Sequence, residues 1–467
     1  MDVFNTLGRR RQPFQPLQPG RVGIYVCGPT VQARPHVGHG RAAVAFDVVR
    51  RYLTWSGYEV VYVQNVTDIE DKIIAAAAAE GADPQVLAKR NAEVFAAAYL
   101  RLGVRAPDIE PAATDHIAEM VQLIATLIAA GHAYPAGGDV YYAVRSYDGY
   151  GKLSGRRLDD LIAGPRIEPG EHKRDPLDFA LWKAAKAGEP SWDSPWGPGR
   201  PGWHIECSAM ARLYLGHTFD IHAGGADLIF PHHENEIAQS EAATGTPLAR
   251  YWLHNGMVNL GGEKMAKSTG HVVDLIEALD TYPPQAVRLF YLRTHYRKPL
   301  DFTTAALEDS TASLDRLWAF RRRAGDPGSS PAHPATIAAF RSAMDDDFDA
   351  AGGLGVLFEA VRIGNRLLDA DEDASALVAA YDELADLLGL SEVRGGIDDL
   401  AEELGALGAR FGVSADAPET VLAGLLAIRA GARDRQDWAT ADAVRAALAD
   451  LGLVVEDGTD GPRWHRS

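Results

Sequence analysis

The chain has 467 residues, of which 46% are hydrophobic and 24% are charged, and its formal net charge is −18. This length exceeds one ordinary core and predicts roughly two to four domains, and the composition excludes a disordered chain. The negative charge argues against non-specific nucleic-acid binding through a global positive field, but a local basic groove remains compatible with it.

The cysteine count and the hydropathy pattern indicate the compartment. The sequence has no apolar run of transmembrane length, and its first residues, MDVFNTLGRRRQPF, lack the apolar core of a signal peptide. Only two cysteines occur, Cys27 and Cys207, which excludes a disulfide scaffold and indicates a reducing environment. We therefore expect a cytoplasmic protein without a membrane partner. Taken alone, two such cysteines are most often small buried hydrophobic residues.

The first part of the chain predicts a strand, a helix and a second strand. Residues 22–26 (VGIYV) are apolar and end at the turn sequence Cys27–Thr30. Apolar residues then recur at helical spacing from Gly40 to Leu53, and a second strand follows from Tyr58 to Val63. Such a βαβ unit favours a parallel sheet, in which ligands bind beyond the carboxyl ends of the strands.

The remaining elements are predicted with varying clarity. Residues 85–130 are typical of two alanine-rich helices, residues 133–155 of a β-hairpin, and 203–206 (WHIE) of a strand or turn. We expect residues from about 110 to 200 to form an insertion between two halves of the sheet domain. From residue 306 the pattern is almost entirely helical, and the tail 452–467 predicts two short strands joined by a turn.

The sequence PHVGHG places two histidines three residues apart at the predicted start of the first helix. A helix N-terminus favours phosphate, and imidazoles there can donate to phosphoryl oxygens. Gly38, between His36 and His39, allows a base or ribose to approach the backbone. Two surface histidines beside a glycine are the alternative interpretation of this short motif.

A second cationic motif lies at residues 260–271, LGGEKMAKSTGH. Lys264 and Lys267 are three residues apart on a segment bounded by glycines, which is typical of a loop that can move. Two ammonium groups on such a loop suit a polyphosphate whose charge develops during reaction. A solvated basic turn is the alternative.

The sequence PHHENE, within residues 231–236, contains metal-ligating side chains. If this segment is helical, His232 and Glu236 share one face and supply one nitrogen and one oxygen ligand. A closed zinc site needs two more ligands from elsewhere in the chain.

Six motifs in order resemble those of one enzyme family. HVGH and KMAKS resemble the HIGH and KMSKS elements of class I aminoacyl-tRNA synthetases, and YVCGPTV, NVTDIEDKI, GWHIECSAM and GGADLIFPHHENE resemble the cysteinyl-tRNA synthetases. The resemblance covers nearly the whole chain. It implies an α/β protein with a Rossmann-type catalytic domain at 1–305, which carries the insertion at about 110–200 and a contact region at about 240–305. A helical bundle at 306–415 and a small mixed anticodon-binding domain at 416–467 would follow.

The resemblance also implies an activity and its partners. The family activates L-cysteine with ATP, releases pyrophosphate, and transfers cysteine to the 3′ end of tRNA(Cys). One Zn²⁺ per chain, which selects the substrate thiolate, and Mg²⁺ with ATP would be the cofactors. A monomer is expected.

Site residues carry over position by position from this resemblance. Zinc would be held by Cys27, Cys207, His232 and Glu236, and the adjacent His233 and Glu234 would support the site without binding the ion. Cys27, Thr67, Trp203 and Asp227 would surround the amino acid, with Asp227 near the ribose or amino group of the adenylate. ATP would be bound by His36, Gly38, His39, Asp227, Lys264 and Lys267, and the two histidines and two lysines would carry the chemistry. Ala266 replaces the serine of the KMSKS element, and both lysines remain.

Two other functions are compatible with parts of this pattern. A cysteine ligase of mycothiol biosynthesis shares the fold and the zinc site but transfers cysteine to an amino sugar, and it lacks the terminal anticodon module. A catalytically inactive paralogue would bind tRNA or amino acid as a regulator. The tail favours tRNA, with Trp438 and Trp464 as stacking candidates, although for Trp438 a place in the small domain's core is the favoured interpretation.

Overall fold

The structure is a computed structural model that describes residues 1–158, 172–260, 263–264, 273–392, 400–415, 417–458 and 461–466. The chain divides into two compact units, Met1–Leu390 and Ser391–Ser467. Within the described ranges, no helix is both long and apolar enough to cross a membrane.

A four-stranded parallel sheet forms the centre of the first unit. Its strands are β3 (Arg21–Val26), β4 (Glu59–Gln64), β9 (Phe219–Gly225) and β10 (Ala249–Asn255), in the order β10-β9-β3-β4. Helix α1 (Val37–Trp55) connects β3 to β4. The central strands are apolar and buried because helices cover both faces of such a sheet. The Rossmann-type fold predicted from the sequence is confirmed.

The chain between β4 and β9 contains several helices and a second sheet. Helices α2 (Asp71–Glu80), α3 (Pro84–Arg101) and α4 (Ile117–Ala129) come first. An antiparallel sheet follows, in the order β5-β6-β7-β8, with strands Ala133–Ala136, Asp139–Tyr142, Phe179–Ala184 and Gly199–Pro201. Its first two strands form a hairpin over residues 133–142, so the predicted hairpin is confirmed there, whereas residues 143–155 form turns and not strands.

Two helices bring metal-ligating residues to the carboxyl end of the central sheet. Helix α5 spans Trp203–Leu215, and helix α6 spans Glu234–Thr244 after an irregular turn at Ile229–His233. The prediction of a strand or turn at 203–206 was therefore wrong. Residues Ile205–Ala211 are all buried, so the helical period is hidden in the sequence.

The rest of the first unit is mainly helical. Short strands β1 (Asp2–Asn5) and β2 (Arg10–Pro13) pair near the N-terminus, and β11 (Val258–Leu260) pairs with both β12 (Glu263–Lys264) and β13 (Leu300–Phe302). The helices here are α7 (Leu275–Thr281), α8 (Pro284–Leu292), α9 (Thr304–Ala324), α10 (Pro334–Met344), α11 (Ala350–Asp369) and α12 (Ser375–Leu388).

The second unit has its own small core. It contains α13 (Ala401–Phe411), α14 (Pro418–Asp434), α15 (Trp438–Asp450) and a hairpin of β14 (Leu453–Gly458) and β15 (Gly461–Arg466). Helix α13, which the sequence grouping assigned to the bundle, packs here through Leu404 and Leu407. Trp464 packs against this core, whereas Trp438 is 56% exposed, so the favoured core placement of Trp438 was wrong.

Candidate metal centre and active site

Four metal-ligating side chains from separate segments converge at the carboxyl end of the central sheet. Cys27 directly follows β3, Cys207 lies in α5, His232 in the turn before α6, and Glu236 in the first turn of α6. Their ligand atoms all lie within 4.8 Å of one another. This is the set of four that the sequence resemblance implies.

The contacts inside this cluster are close. His232 Nε2 lies 3.1 Å from Glu236 Oε1, and Cys27 Sγ lies 3.4 Å from the same oxygen. The side chains of Cys207, His232 and Glu236 are buried, and Cys27 is half-buried. His232 and Glu236 meet as expected for residues four apart, although His232 precedes the regular helix.

Burial keeps two of the candidate ligands in their neutral forms. Burial raises the pKa of the Cys27 thiol well above its ordinary value and lowers the pKa of His232 to about 3. The imidazole is therefore neutral, which is the form that binds a metal. A divalent ion deprotonates a coordinating thiol outright, and two sulfurs, one nitrogen and one oxygen form a donor set that zinc accepts.

Further histidines support the cluster and were missed by sequence reasoning. His222, on β9, places its Nε2 atom 2.8 Å from Glu236 Oε2, and His204 Nδ1 lies 2.9 Å from His232 Nδ1. His233 Nδ1 contacts His254 Nε2 at 2.7 Å. Nothing in the spacing of His204, His222 or His254 indicates these contacts, because they depend on how distant segments pack.

A second set of ligand atoms overlaps the first. Cys27, His222, His233 and Glu236 also lie within 4.8 Å of one another. Only the first set contains both sulfurs, and soft thiolates suit zinc better than a second imidazole does. Glu234 accepts hydrogen bonds from the backbone N–H groups of Leu153 and Ser154, so it ties α6 to the segment that follows β6.

The residues predicted around the amino acid lie at different depths. Trp203 stacks on His232 with ring centroids 4.3 Å apart, beside the cluster. Thr67 is buried, and its hydroxyl donates to Glu206 Oε2 at 3.0 Å. Asp227 is exposed in the short turn that follows β9, close to Gly225.

The HVGH motif forms the N-terminus of α1. His36 Nδ1 accepts a hydrogen bond from the Gly38 N–H at 3.1 Å, and His39 Nδ1 accepts from the His36 N–H at 3.1 Å. The two rings stack with centroids 3.7 Å apart. Because both Nδ1 atoms accept, each neutral ring carries its hydrogen on Nε2 and is a donor there. His36 lines a cleft of about 930 Å³ that is also lined by Arg34, Arg90 and Arg101.

The lysines of the KMAKS motif are only partly covered by the structure. The backbone of Lys264 pairs with Asn259 in the β11–β12 hairpin. Its side chain and the whole of Lys267 lie outside the described residues.

Comparisons with known proteins agree along the whole chain. The family description "tRNA synthetases class I (C) catalytic domain" matches residues 13–312, "DALR domain" matches 339–392, and "Cysteinyl-tRNA ligase anticodon binding domain" matches 415–464. A cysteine–tRNA ligase of Desulforudis audaxviator is 49% identical over 100% of both chains. One of Heliobacterium modesticaldum is 48% identical over 100% of this chain and 99% of its own.

Solved structures agree in fold. A Mycobacterium tuberculosis methionyl-tRNA synthetase in complex with methionyl-adenylate matches with a TM-score of 0.57 and 17% identity, covering 79% of this chain and 90% of its own. With the full-length relatives and the matched domains, this places the sequence in one family. The chain belongs to the cysteine–tRNA ligase family of class I tRNA synthetases.

Proposed function

We propose that this chain is an ATP-dependent cysteine–tRNA ligase that forms cysteinyl-adenylate and pyrophosphate and then transfers cysteine to the 3′ end of tRNA(Cys). The observation that carries the proposal is the convergence of Cys27, Cys207, His232 and Glu236 within 4.8 Å. The chain has only two cysteines, and both belong to this cluster.

The four residues would hold one Zn²⁺ beside the amino-acid pocket. When bound, zinc lowers the pKa of the substrate thiol and binds its thiolate, whereas serine offers a hydroxyl that ionises far less readily. Pocket shape alone discriminates such small differences by only about 10–200-fold. Trp203 would close one side of the pocket, because its ring already stacks on the ligand His232.

Activation would take place at the N-terminus of α1. The substrate carboxylate is already ionised, so no general base is needed, and catalysis consists of positioning and electrostatic stabilisation. The Nε2 donors of His36 and His39 would bind phosphoryl oxygens, and Gly38 would let the nucleotide approach the backbone. Lys264 and Lys267 would bind the triphosphate with Mg²⁺, and Asp227 would contact the ribose or amino group of the adenylate.

The second unit would bind the tRNA. Residues 415–464 match an anticodon-binding domain, which the amino-sugar ligases lack. Trp438 presents an exposed indole at the start of α15 and is suited to stacking on an unpaired base. The intact HVGH motif and the complete ligand set disfavour an inactive paralogue.

Charging of tRNA(Cys) with labelled cysteine, ATP and Mg²⁺ tests the proposal, with serine as the matched amino acid. We expect charging with cysteine and none with serine. Cysteine-dependent pyrophosphate exchange without charging would instead indicate an amino-sugar acceptor. Absence of both activities from a zinc-loaded protein would overturn the proposal.

A further inference from the structure

Asn65 lies between the two cysteine-bearing segments. It directly follows β4 and is completely buried. Its Oδ1 atom accepts a hydrogen bond from the backbone N–H of Gly28, the residue after Cys27, at 2.9 Å. The same oxygen lies 3.6 Å from Cys207 Sγ. One amide group thus touches the segment that carries Cys27 and the sulfur of Cys207.

The segment that carries Cys27 can approach Asn65 closely because the residue after Cys27 is a glycine. A Cβ atom added to Gly28 would lie 1.5 Å from the backbone oxygen of Asn65, so only glycine permits this contact. Asn65 therefore contacts the Cys27 segment with both its backbone and its side chain. This double contact fixes the distance between Asn65, which follows β4, and the turn after β3 that contains Cys27.

The amide itself is held in one orientation. Asn65 Nδ2 donates to Thr67 Oγ1 at 3.2 Å, and Thr67 Oγ1 donates to Glu206 Oε2 at 3.0 Å. Glu206 precedes Cys207 on α5 and is completely buried. The chain of contacts therefore starts at Gly28, passes through Asn65 and Thr67, and ends on the helix that carries the second sulfur ligand.

We propose that Asn65 is a positioning residue that sets the separation of Cys27 and Cys207 and thereby the zinc affinity of the site. The proposal rests on the metal centre proposed above. Groups that orient metal ligands typically contribute 10–100-fold to metal affinity, so about this loss is expected when the Asn65 amide is removed. Loss of thiolate geometry would also change the spectrum of a bound cobalt ion.

Zinc affinity, measured by competition with a chelator, and the thiolate-to-metal absorption of the Co²⁺-loaded protein test this role in Asn65→Ala. The matched control is Asn91→Ala, because Asn91 is also a buried asparagine, and its amide donates to the carbonyl of Val31 at 2.9 Å, not to a residue of the metal-ligating set. We expect zinc affinity to fall about 10–100-fold in Asn65→Ala, with an altered cobalt spectrum, and to stay at the wild-type value in Asn91→Ala.

Thr67→Val provides a second, isosteric variant that removes the hydroxyl bound to the Asn65 amide. We expect a smaller loss of zinc affinity than in Asn65→Ala. If Asn65→Ala does not fold, the result for Thr67→Val tests the role of Asn65. Wild-type affinity and spectrum in the folded variants would overturn the role of Asn65. Failure of the wild-type chain itself to bind zinc would instead contradict the proposed metal centre.

Discussion

Cys207 supplies one of the two sulfurs of the candidate metal centre from a fully buried position on α5. Cys207→Ala removes that sulfur, and the remaining three ligands leave the tetrahedral set incomplete. We expect bound zinc to fall from about one ion per chain to a small fraction of that, with loss of cysteine activation. Metal analysis of the purified variant, together with pyrophosphate exchange, measures both quantities.

Ser208→Ala is the control for this variant, because Ser208 is the buried neighbour of Cys207 on the same helix. It should retain zinc and activity. A Cys207→Ala protein with stoichiometric zinc and full charging would remove Cys207 from the ligand set.

His36 caps the N-terminus of α1 and is also the proposed ligand of ATP, and the two roles can be separated. Its Nδ1 atom caps the helix at the Gly38 N–H, and its Nε2 edge is the proposed donor to ATP. His36→Asn keeps a good capping group and removes the Nε2 donor. We expect pyrophosphate exchange to fall about 100–1000-fold while the thermal midpoint stays near that of the wild type.

Comparison with His36→Ala separates the two functions, because alanine removes the cap as well and should lower the thermal midpoint further. If His36→Asn exchanged pyrophosphate at the wild-type rate, His36 would have only a structural role.

The buried carboxylate of Asp47 and its partner Arg288 connect helices α1, α8 and α12 of the first unit. Asp47 on α1 accepts a hydrogen bond from Arg51 Nε at 2.7 Å and pairs with Arg288 on α8. Arg288 Nε in turn donates to the carbonyl of Leu388 on α12 at 2.6 Å. Burial alone would raise the pKa of Asp47, but the guanidinium groups of Arg288 and Arg51 outweigh burial and hold this pKa below its ordinary value of 3.8.

This network makes stability depend on pH in a defined direction. A carboxylate with a lowered native pKa stabilises the fold above pH 3.8, and this contribution is lost as pH falls through the native pKa. Asp47→Asn leaves Arg288 buried without its partner charge and should cost about 3–5 kcal/mol at pH 7. Thermal denaturation between pH 7 and pH 3 should show that the difference in stability between Asp47→Asn and the wild type becomes smaller in acid.

Asp280→Asn provides the matched control on an exposed pair. Asp280 lies 2.8 Å from Arg101, and both side chains are well exposed. Its loss should cost only about 0–1 kcal/mol at any pH. A loss of stability in Asp47→Asn that did not change with pH would contradict the lowered pKa of Asp47.

The elements differ in how well their sequences predict them. Strand β3 and helix α1 were predictable because an apolar run, a turn sequence and an amphipathic period follow one another. Helix α5 was not, because seven consecutive buried residues obscure its period. The four ligands could be assigned only through the family resemblance. The contacts of Asn65 with Gly28 and Cys207, and that of His222 with Glu236, join residues more than ten positions apart in sequence, so local patterns do not reveal them.

At the scale of the whole molecule, the exposure of Trp438 is another feature that the sequence alone did not predict. A tryptophan in a small domain is usually part of its core, yet this indole is 56% exposed. Trp438→Ala should weaken tRNA(Cys) binding by about 1–3 kcal/mol, the typical contribution of one stacked base, with no effect on pyrophosphate exchange. The KM for tRNA in the charging reaction measures the change.

Leu100→Ala is the corresponding control, since Leu100 is a 75% exposed hydrophobic residue on α3 in the first unit. It should leave the KM for tRNA unchanged. An unaltered KM in Trp438→Ala would exclude a stacking role for this indole.

The order of strands in the central sheet has a consequence for biosynthesis. Strand β3 pairs with β4 on one side and with β9 on the other. Between the end of β4 at Gln64 and the start of β9 at Phe219 the ribosome must add 154 residues. This takes roughly 8–30 s at about 5–20 residues per second. Throughout this interval the nascent chain carries an apolar strand with one open hydrogen-bonding edge, which can template aggregation. The emergence of β9 from the ribosome ends this exposure.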